Sequence, residues 1–175
     1  FDAVELLGAT GYLISQFLSP LTNQREDRFG GSFDRRLTFV HELVRGIKQK
    51  TGEDFPLIFR LSSTDNMPGG LDADDERRVA VKLAEWGVDM LNVTAGWHDS
   101  PVHQIGPSVP HGHFVPLAAK IKQEVNIPVS CAFRITGPEL ARHLIESGQL
   151  DMVTTARALL ADPEWPNKAK AGRDD

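Results

Sequence analysis

The sequence predicts an α/β protein in which a parallel strand–helix unit is repeated along one domain, residues 1–175, as an incomplete (β/α)8 TIM barrel. Three observations carry this. Short apolar runs alternate with stretches of helical period about five times, the pattern of a parallel βα series. No GxGxxG follows the first run, so a doubly wound dinucleotide fold loses its strongest signal. A closed barrel takes roughly 250 residues, and 175 residues supply too few units to close one.

Ala3 to Leu7 is an apolar run stopped by Gly8 and Gly11, which suits a buried strand. Phe33, Leu37, Val40, Val44 and Ile47 follow at helical spacing, and Gly52 is placed to end that helix in a left-handed conformation. Leu57 to Ser62 is a second strand delivering polar residues at its C-terminal end, followed by a loop with Pro68, Gly69 and Gly70. Asp72 or Asp74 can cap the next helix, whose stripe Val79, Leu83 and Trp86 stops at Gly87 before the strand Met90 to Val93. A long loop, Thr94 to His113, leads to a helix carrying Leu117, Ile121 and Val125 and to a strand opened by Ile127, Pro128 and Val129. Thr136 with Glu139 has capping-box spacing, which puts threonine at the cap of a helix ending at Gly148. Met152 to Thr154 is the last strand, and the polar tail is helical from Trp165.

Composition excludes several function classes. A net charge of −5 from 19 basic and 24 acidic residues leaves no field to neutralise a run of phosphates, so nucleic acid is not an expected partner. No apolar run approaches the roughly 20 residues that span a bilayer, so no membrane partner is expected either. The first residues lack a signal-peptide pattern and an initiator methionine, as in an excised piece. The single cysteine, Cys131, rules out an internal disulfide framework and a cysteine-built zinc site and suits a reducing, cytoplasmic compartment. His111 and His113 alternate without a carboxylate-rich motif, so no metal site is expected.

A parallel barrel collects its chemistry just after its strands. Thr10 and Tyr12 follow the first; a phenol, with an ordinary pKa of about 10, can donate a proton at neutral pH, and the alternative is a packing tyrosine with a bonded tip. Arg60 ends an apolar strand and must find an anionic or polar partner, either a ligand or an internal carboxylate. His98, past the third strand, is a candidate acid or hydrogen-bond donor, or else a surface histidine. His41 and His143 belong to solvated helix faces. Arg134 and Arg157 follow the fourth and fifth strands, where paired arginines make a phosphate site or serve structure alone.

The run Gly8 to Leu13, then Gln16 to Pro20, Asn23, Arg25, Asp27 and Gly30-Gly31-Ser32 resembles the old yellow enzyme family of NADH:flavin oxidoreductases. Arg60-Leu61-Ser62, Gly96-Trp97-His98, Val109-Pro110, Arg134-Ile135 and Ala156-Arg157 are most similar to its 2,4-dienoyl-CoA reductase branch. The resemblance covers essentially the whole chain and implies about the fourth to eighth strand–helix units of an FMN-binding barrel. It implies that Tyr12 is the proton donor assisted by His98, that Arg60 contacts the flavin ring, and that Phe133, Arg134, Ala156 and Arg157 hold the FMN phosphate.

Leu7 and Thr10 stand where many members carry a histidine and a second histidine or asparagine that hold a substrate carbonyl. Thr10 also replaces an acid of the dienoyl-CoA reductase branch, and Cys131-Ala132-Phe133 departs from a commoner glycine pair. The implied function is an ene-reductase that takes electrons from NAD(P)H through FMN to a conjugated enoyl thioester. Alternatives are an amine dehydrogenase of the trimethylamine dehydrogenase type and a catalytically inert barrel piece. The family's 4Fe-4S cysteines would follow Asp175, and this chain contains no ligands for such a cluster. Besides the small-molecule substrate, the expected partners are the remainder of the barrel or further copies of the chain.

Overall fold

The computed structural model describes residues 1–102, 106 and 108–173; residues 103–105 and 107 of the long loop, and the tail beyond 173, lie outside them. The five strands are β1 (Val4–Gly8), β2 (Leu57–Ser62), β3 (Met90–Thr94), β4 (Val129–Cys131) and β5 (Met152–Val153). The helices are α1 (Leu13–Leu18), α2 (Phe33–Thr51), α3 (Ala73–Glu85), α4 (Val115–Glu124), α5 (Pro138–Glu146), α6 (Arg157–Ala161) and α7 (Trp165–Lys170).

Each strand pairs in parallel with the next in sequence, giving the order β1-β2-β3-β4-β5. A doubly wound sheet reverses its order at a switch point; this sheet does not, and it is an arc of a (β/α)8 barrel.

The register separates the two faces. Leu6, Phe59, Leu91 and Val129 form one row across the sheet and pack with Val40 and Val44 of α2, Leu83 of α3, Ile121 of α4 and Leu144 of α5 in the core. The adjacent row, Leu7, Arg60, Asn92, Ser130 and Met152, points to the opposite face because strand side chains alternate. That row carries the polar groups: Asn92 Nδ2 donates to Glu5 Oε2 at 2.8 Å and Thr154 Oγ1 donates to Ser130 Oγ at 3.1 Å.

The start and stop signals operate where a polar cap was legible. Asp72 caps α3, its Oδ1 accepting from the backbone N–H of Asp74 and Asp75 at 2.9 Å each. Ser32 caps α2. Gly52 ends α2 with φ 93° and ψ 157°, an extended glycine-only conformation rather than the left-handed helical one expected. The cap of α5 is Gly137, not Thr136. Pro138 occupies the first helical position, which its fixed φ favours, and Thr136 Oγ1 lies 2.9 Å from His111 Nδ1 instead.

Glu76 in the first turn of α3 is buried, and its Oε2 has no hydrogen-bond partner among the described residues. Burial first, then the charges of Asp65 and Asp75, hold its carboxyl well above the usual range. A carboxyl raised in the folded state binds a proton that the unfolded chain has released. Stability is therefore full below the ordinary carboxylate pKa of about 4.3 and declines as pH rises through the window up to the folded value. Glu76→Met, which keeps the length without the charge, is expected to stabilise the protein by about 1 to 3 kcal/mol at pH 8 and by less at pH 5. Thermal unfolding at the two pH values checks this, and an equal change at both would show that Glu76 does not drive the pH dependence.

Candidate active site at the strand ends

Sequential parallel pairing brings the C-terminal ends of all five strands to one edge, where their loops meet. Tyr12 lies in the loop after β1, at the N-cap of α1, and is half exposed. His98 lies in the loop after β3 and is exposed. The two meet although 86 residues separate them: His98 Nε2 is 3.1 Å from Tyr12 Oη, and the rings stand edge to face with centroids 5.3 Å apart.

The backbone beneath this pair is strained. Thr10 has φ 63°, a conformation that a β-branched residue rarely adopts. It is held there by a parallel bridge to Trp97 and by its carbonyl, which accepts from His98 N at 3.5 Å. Arg134 has φ 55° in the loop after β4. Backbone strain of this kind persists where the surroundings over-determine it, and it concentrates at functional sites.

A cleft of about 600 Å³ opens beside the ends of β4 and β5 and includes Arg60, Phe133, Arg134, Ala156 and Arg157 in its wall, together with Thr94 and Trp165. This volume is that of an ordinary small-molecule site. Arg60 projects into it from the face opposite the helices. Among the described residues it makes no salt bridge, and its Nε is buried without a hydrogen-bond partner. No internal carboxylate partner for Arg60 appears among the described residues, and an unpaired guanidinium in the wall of a cleft fits an electron-rich acceptor edge. Arg157 is exposed at the start of α6, with no ion pair among the described residues.

Arg134 lines the same cleft, but its Nη1 donates to the carbonyls of Gly106, at 2.7 Å, and Val109. Its own carbonyl lies 3.0 Å from His111 Nδ1. Its guanidinium therefore braces the loop before α4, and His111 belongs to that brace. His41 and His143 are exposed on α2 and α5, with His41 stacked on Trp86 at 4.5 Å between centroids. Burial pushes the Cys131 thiol up to about 12, which leaves it protonated and inert.

Sequence reasoning missed Asp65. It lies in the loop after β2 and is 1% exposed, yet its carboxylate accepts from Trp97 Nε1 at 2.6 Å, Ser19 Oγ at 2.7 Å and Leu71 N at 2.7 Å. Burial raises its carboxyl above the usual range, opposed by those three hydrogen bonds. The only signal in the sequence was its place, three residues past a strand end.

The family model of the NADH:flavin oxidoreductase / NADH oxidase family matches residues 1–175. An NADH oxidase of Thermoanaerobacter brockii is 47% identical over 176 aligned positions, covering the whole chain and 27% of that protein. Among solved structures, 2-naphthoyl-CoA reductase bound to 2-naphthoyl-CoA superposes with a TM-score of 0.94 at 36% identity, over 99% of this chain and 26% of that one. Histamine dehydrogenase from Rhizobium sp. 4-9 superposes with a TM-score of 0.86 at 31% identity, over 99% and 25%. The chain thus spans about a quarter of the length of these relatives. With a match over its full length, a barrel-arc sheet, and a phenol–imidazole pair and an arginine-lined cleft on the same strand-end edge, the chain belongs to the NADH:flavin oxidoreductase / NADH oxidase family.

Proposed function

We propose that residues 1–175 form the C-terminal portion of an FMN-binding barrel in an oxidoreductase that reduces conjugated enoyl thioesters. The observation that carries this is the Tyr12–His98 pair, 3.1 Å apart, at the same strand-end edge as the cleft lined by Arg60 and Arg157. The cleft fits FMN: Arg60 offers its guanidinium, without a salt-bridge partner among the described residues, to the ring, and Arg157 and the backbone around Phe133 and Ala156 line the part suited to the phosphate. Bound there, FMN supplies hydride transfer from NAD(P)H to the conjugated carbon of a substrate such as a 2,4-dienoyl-CoA.

The residues of this chain supply the proton and the fixed charge. Tyr12 gives its phenolic proton to the carbon that becomes electron-rich. With its proton on Nε2, His98 can donate to Tyr12 Oη, a hydrogen bond that strengthens as the oxygen gains negative charge. Arg60 keeps a fixed positive charge at the ring edge. The likeness to 2-naphthoyl-CoA reductase supports an acyl-CoA thioester as the substrate class. We place the protein in the cytoplasm, where the buried thiol of Cys131 stays reduced.

The likeness to histamine dehydrogenase supports a second reading, oxidation of an amine. Anaerobic titration of the complete enzyme separates the two: NAD(P)H should bleach the flavin absorbance and 2,4-dienoyl-CoA should restore it. Bleaching by an amine, with no response to the thioester, would establish the second reading instead. Arg157→Ala is expected to weaken FMN binding by about 1.5 to 3 kcal/mol, the worth of a charge-assisted contact, while sparing the fold because the side chain is exposed. Titrating the apoprotein with FMN measures this, and an unchanged Kd would return Arg157 to a structural role.

A further inference from the structure

Tyr12 and His98 sit on different loops and are both exposed, and their side chains touch through one hydrogen bond and an edge-to-face ring contact. An exposed bond of this kind contributes little by itself to holding two loops in register. Beneath the pair the two loops join at the Thr10–Trp97 bridge and through His98 N to the Thr10 carbonyl, and the buried polar groups show what holds that junction in place.

Tyr12 is carried by α1, a helix of six residues that is too short to hold its own geometry. Immediately after it, Ser19 is fully buried and its Oγ donates to Asp65 Oδ2 at 2.7 Å. His98 follows Trp97, whose indole is 7% exposed and donates Nε1–H to Asp65 Oδ1 at 2.6 Å. The two oxygens of one carboxylate thus hold the two loops separately. Leu71 N also donates to Oδ2, which anchors the carboxylate to its own loop. The backbone repeats the connection: the Asp65 carbonyl accepts from Ser100 Oγ at 2.8 Å and Trp97 N at 3.2 Å. Trp97 closes the frame from above, since a Cβ at Gly11 would lie 3.2 Å from its ring, so the indole packs directly beneath the Thr10–Gly11 turn that leads into Tyr12. A buried indole N–H and a buried carboxylate each require a partner, so releasing the Trp97 arm would leave both the indole N–H and Asp65 Oδ1 unsatisfied.

We infer that Asp65 is a positioning residue for the Tyr12–His98 pair, holding the tyrosine loop through Ser19 and the histidine loop through Trp97. This rests on the proton-donor reading for its catalytic consequence but not for its geometry. Two variants of the complete flavin-loaded enzyme test it: Asp65→Asn, which removes the charge, and Trp97→Phe, which keeps the charge and an aromatic side chain but removes the N–H arm to the histidine loop together with part of the packing under Gly11.

Crystal structures of both should show Tyr12 Oη and His98 Nε2 drawn apart beyond hydrogen-bond distance. Reoxidation by the enoyl thioester should slow roughly 10- to 100-fold, the effect of misplacing a reacting group, with reduction by NAD(P)H unchanged. In a Tyr12→Phe background, Trp97→Phe should add no further slowing, whereas general damage to the fold would add to it. A pair still at hydrogen-bond distance in both variants would overturn the inference whatever the rates do. A separated pair with unchanged thioester reoxidation would uphold the positioning role and overturn the proton-donor reading.

Discussion

Tyr12→Phe in the complete enzyme is expected to slow reoxidation by the enoyl thioester by about 10²- to 10⁴-fold, the usual worth of a general acid, while flavin reduction by NAD(P)H stays nearly intact. The substitution removes one oxygen and little else. The ring of residue 12 stands edge to face with His98 at 73°, and phenylalanine can keep that contact. The backbone N-cap contacts of α1, such as Gln16 N to the carbonyl of residue 12 at 2.9 Å, do not involve the side chain. What disappears is the proton that the carbon must receive, so only one half-reaction suffers. Stopped-flow absorbance follows the two halves separately. Equal slowing of both would remove Tyr12 from the acid role and make it a binding or packing residue.

Phe59→Ala is expected to destabilise the protein by about 3 to 5 kcal/mol, as large-to-small changes of buried aromatics do. Phe59 is fully buried at the centre of the row that faces the helices, between Leu6 of β1 and Leu91 of β3. Its ring fills the space that Gly8 leaves: a Cβ at Gly8 would lie 2.1 Å from Phe59 Cε1. Removing the ring opens a cavity between three strands that backbone pairing on both sides keeps from collapsing. Leu13→Ala, at a side chain 61% exposed, should by contrast stay within about 0.5 kcal/mol. Chemical denaturation of the two variants makes the comparison, and similar midpoints would show that the core does not hold the strand ends in place.

Elements long enough to show a period were legible without coordinates. The 19 residues of α2 and the 13 of α3 present several turns of apolar stripe, and the strands read as short apolar runs closed by glycine or proline. The six residues of α1 and five of α6 hold fewer than two turns, too few for a stripe to repeat, and both went unread. The cap of α5 was misplaced by one residue because threonine and glutamate at the right spacing describe a capping box only if no proline claims the first turn. Here Pro138 does, and Thr136 turns to a histidine 25 residues away.

The candidate site divides along the same physical line. Residues that must stand at strand ends, Tyr12, Arg60, His98, Phe133, Arg134, Ala156 and Arg157, are fixed by chain order alone once the parallel pattern is seen, because every strand of such a sheet ends on one edge. The sequence by itself therefore determined the barrel class, the order of its units and the edge where chemistry collects. Only the tertiary structure decided which of these groups meet. It joined Tyr12 to His98, set Arg60 in the cleft wall with no salt bridge among the described residues, turned the Arg134 guanidinium to the Gly106 and Val109 carbonyls, and buried Asp65 beneath the pair. The reason is that an aspartate in a loop reads as a solvated charge in any sequence. Its burial, and the donors that make burial tolerable, come from three loops that are distant in the chain and adjacent only because their strands pair in order.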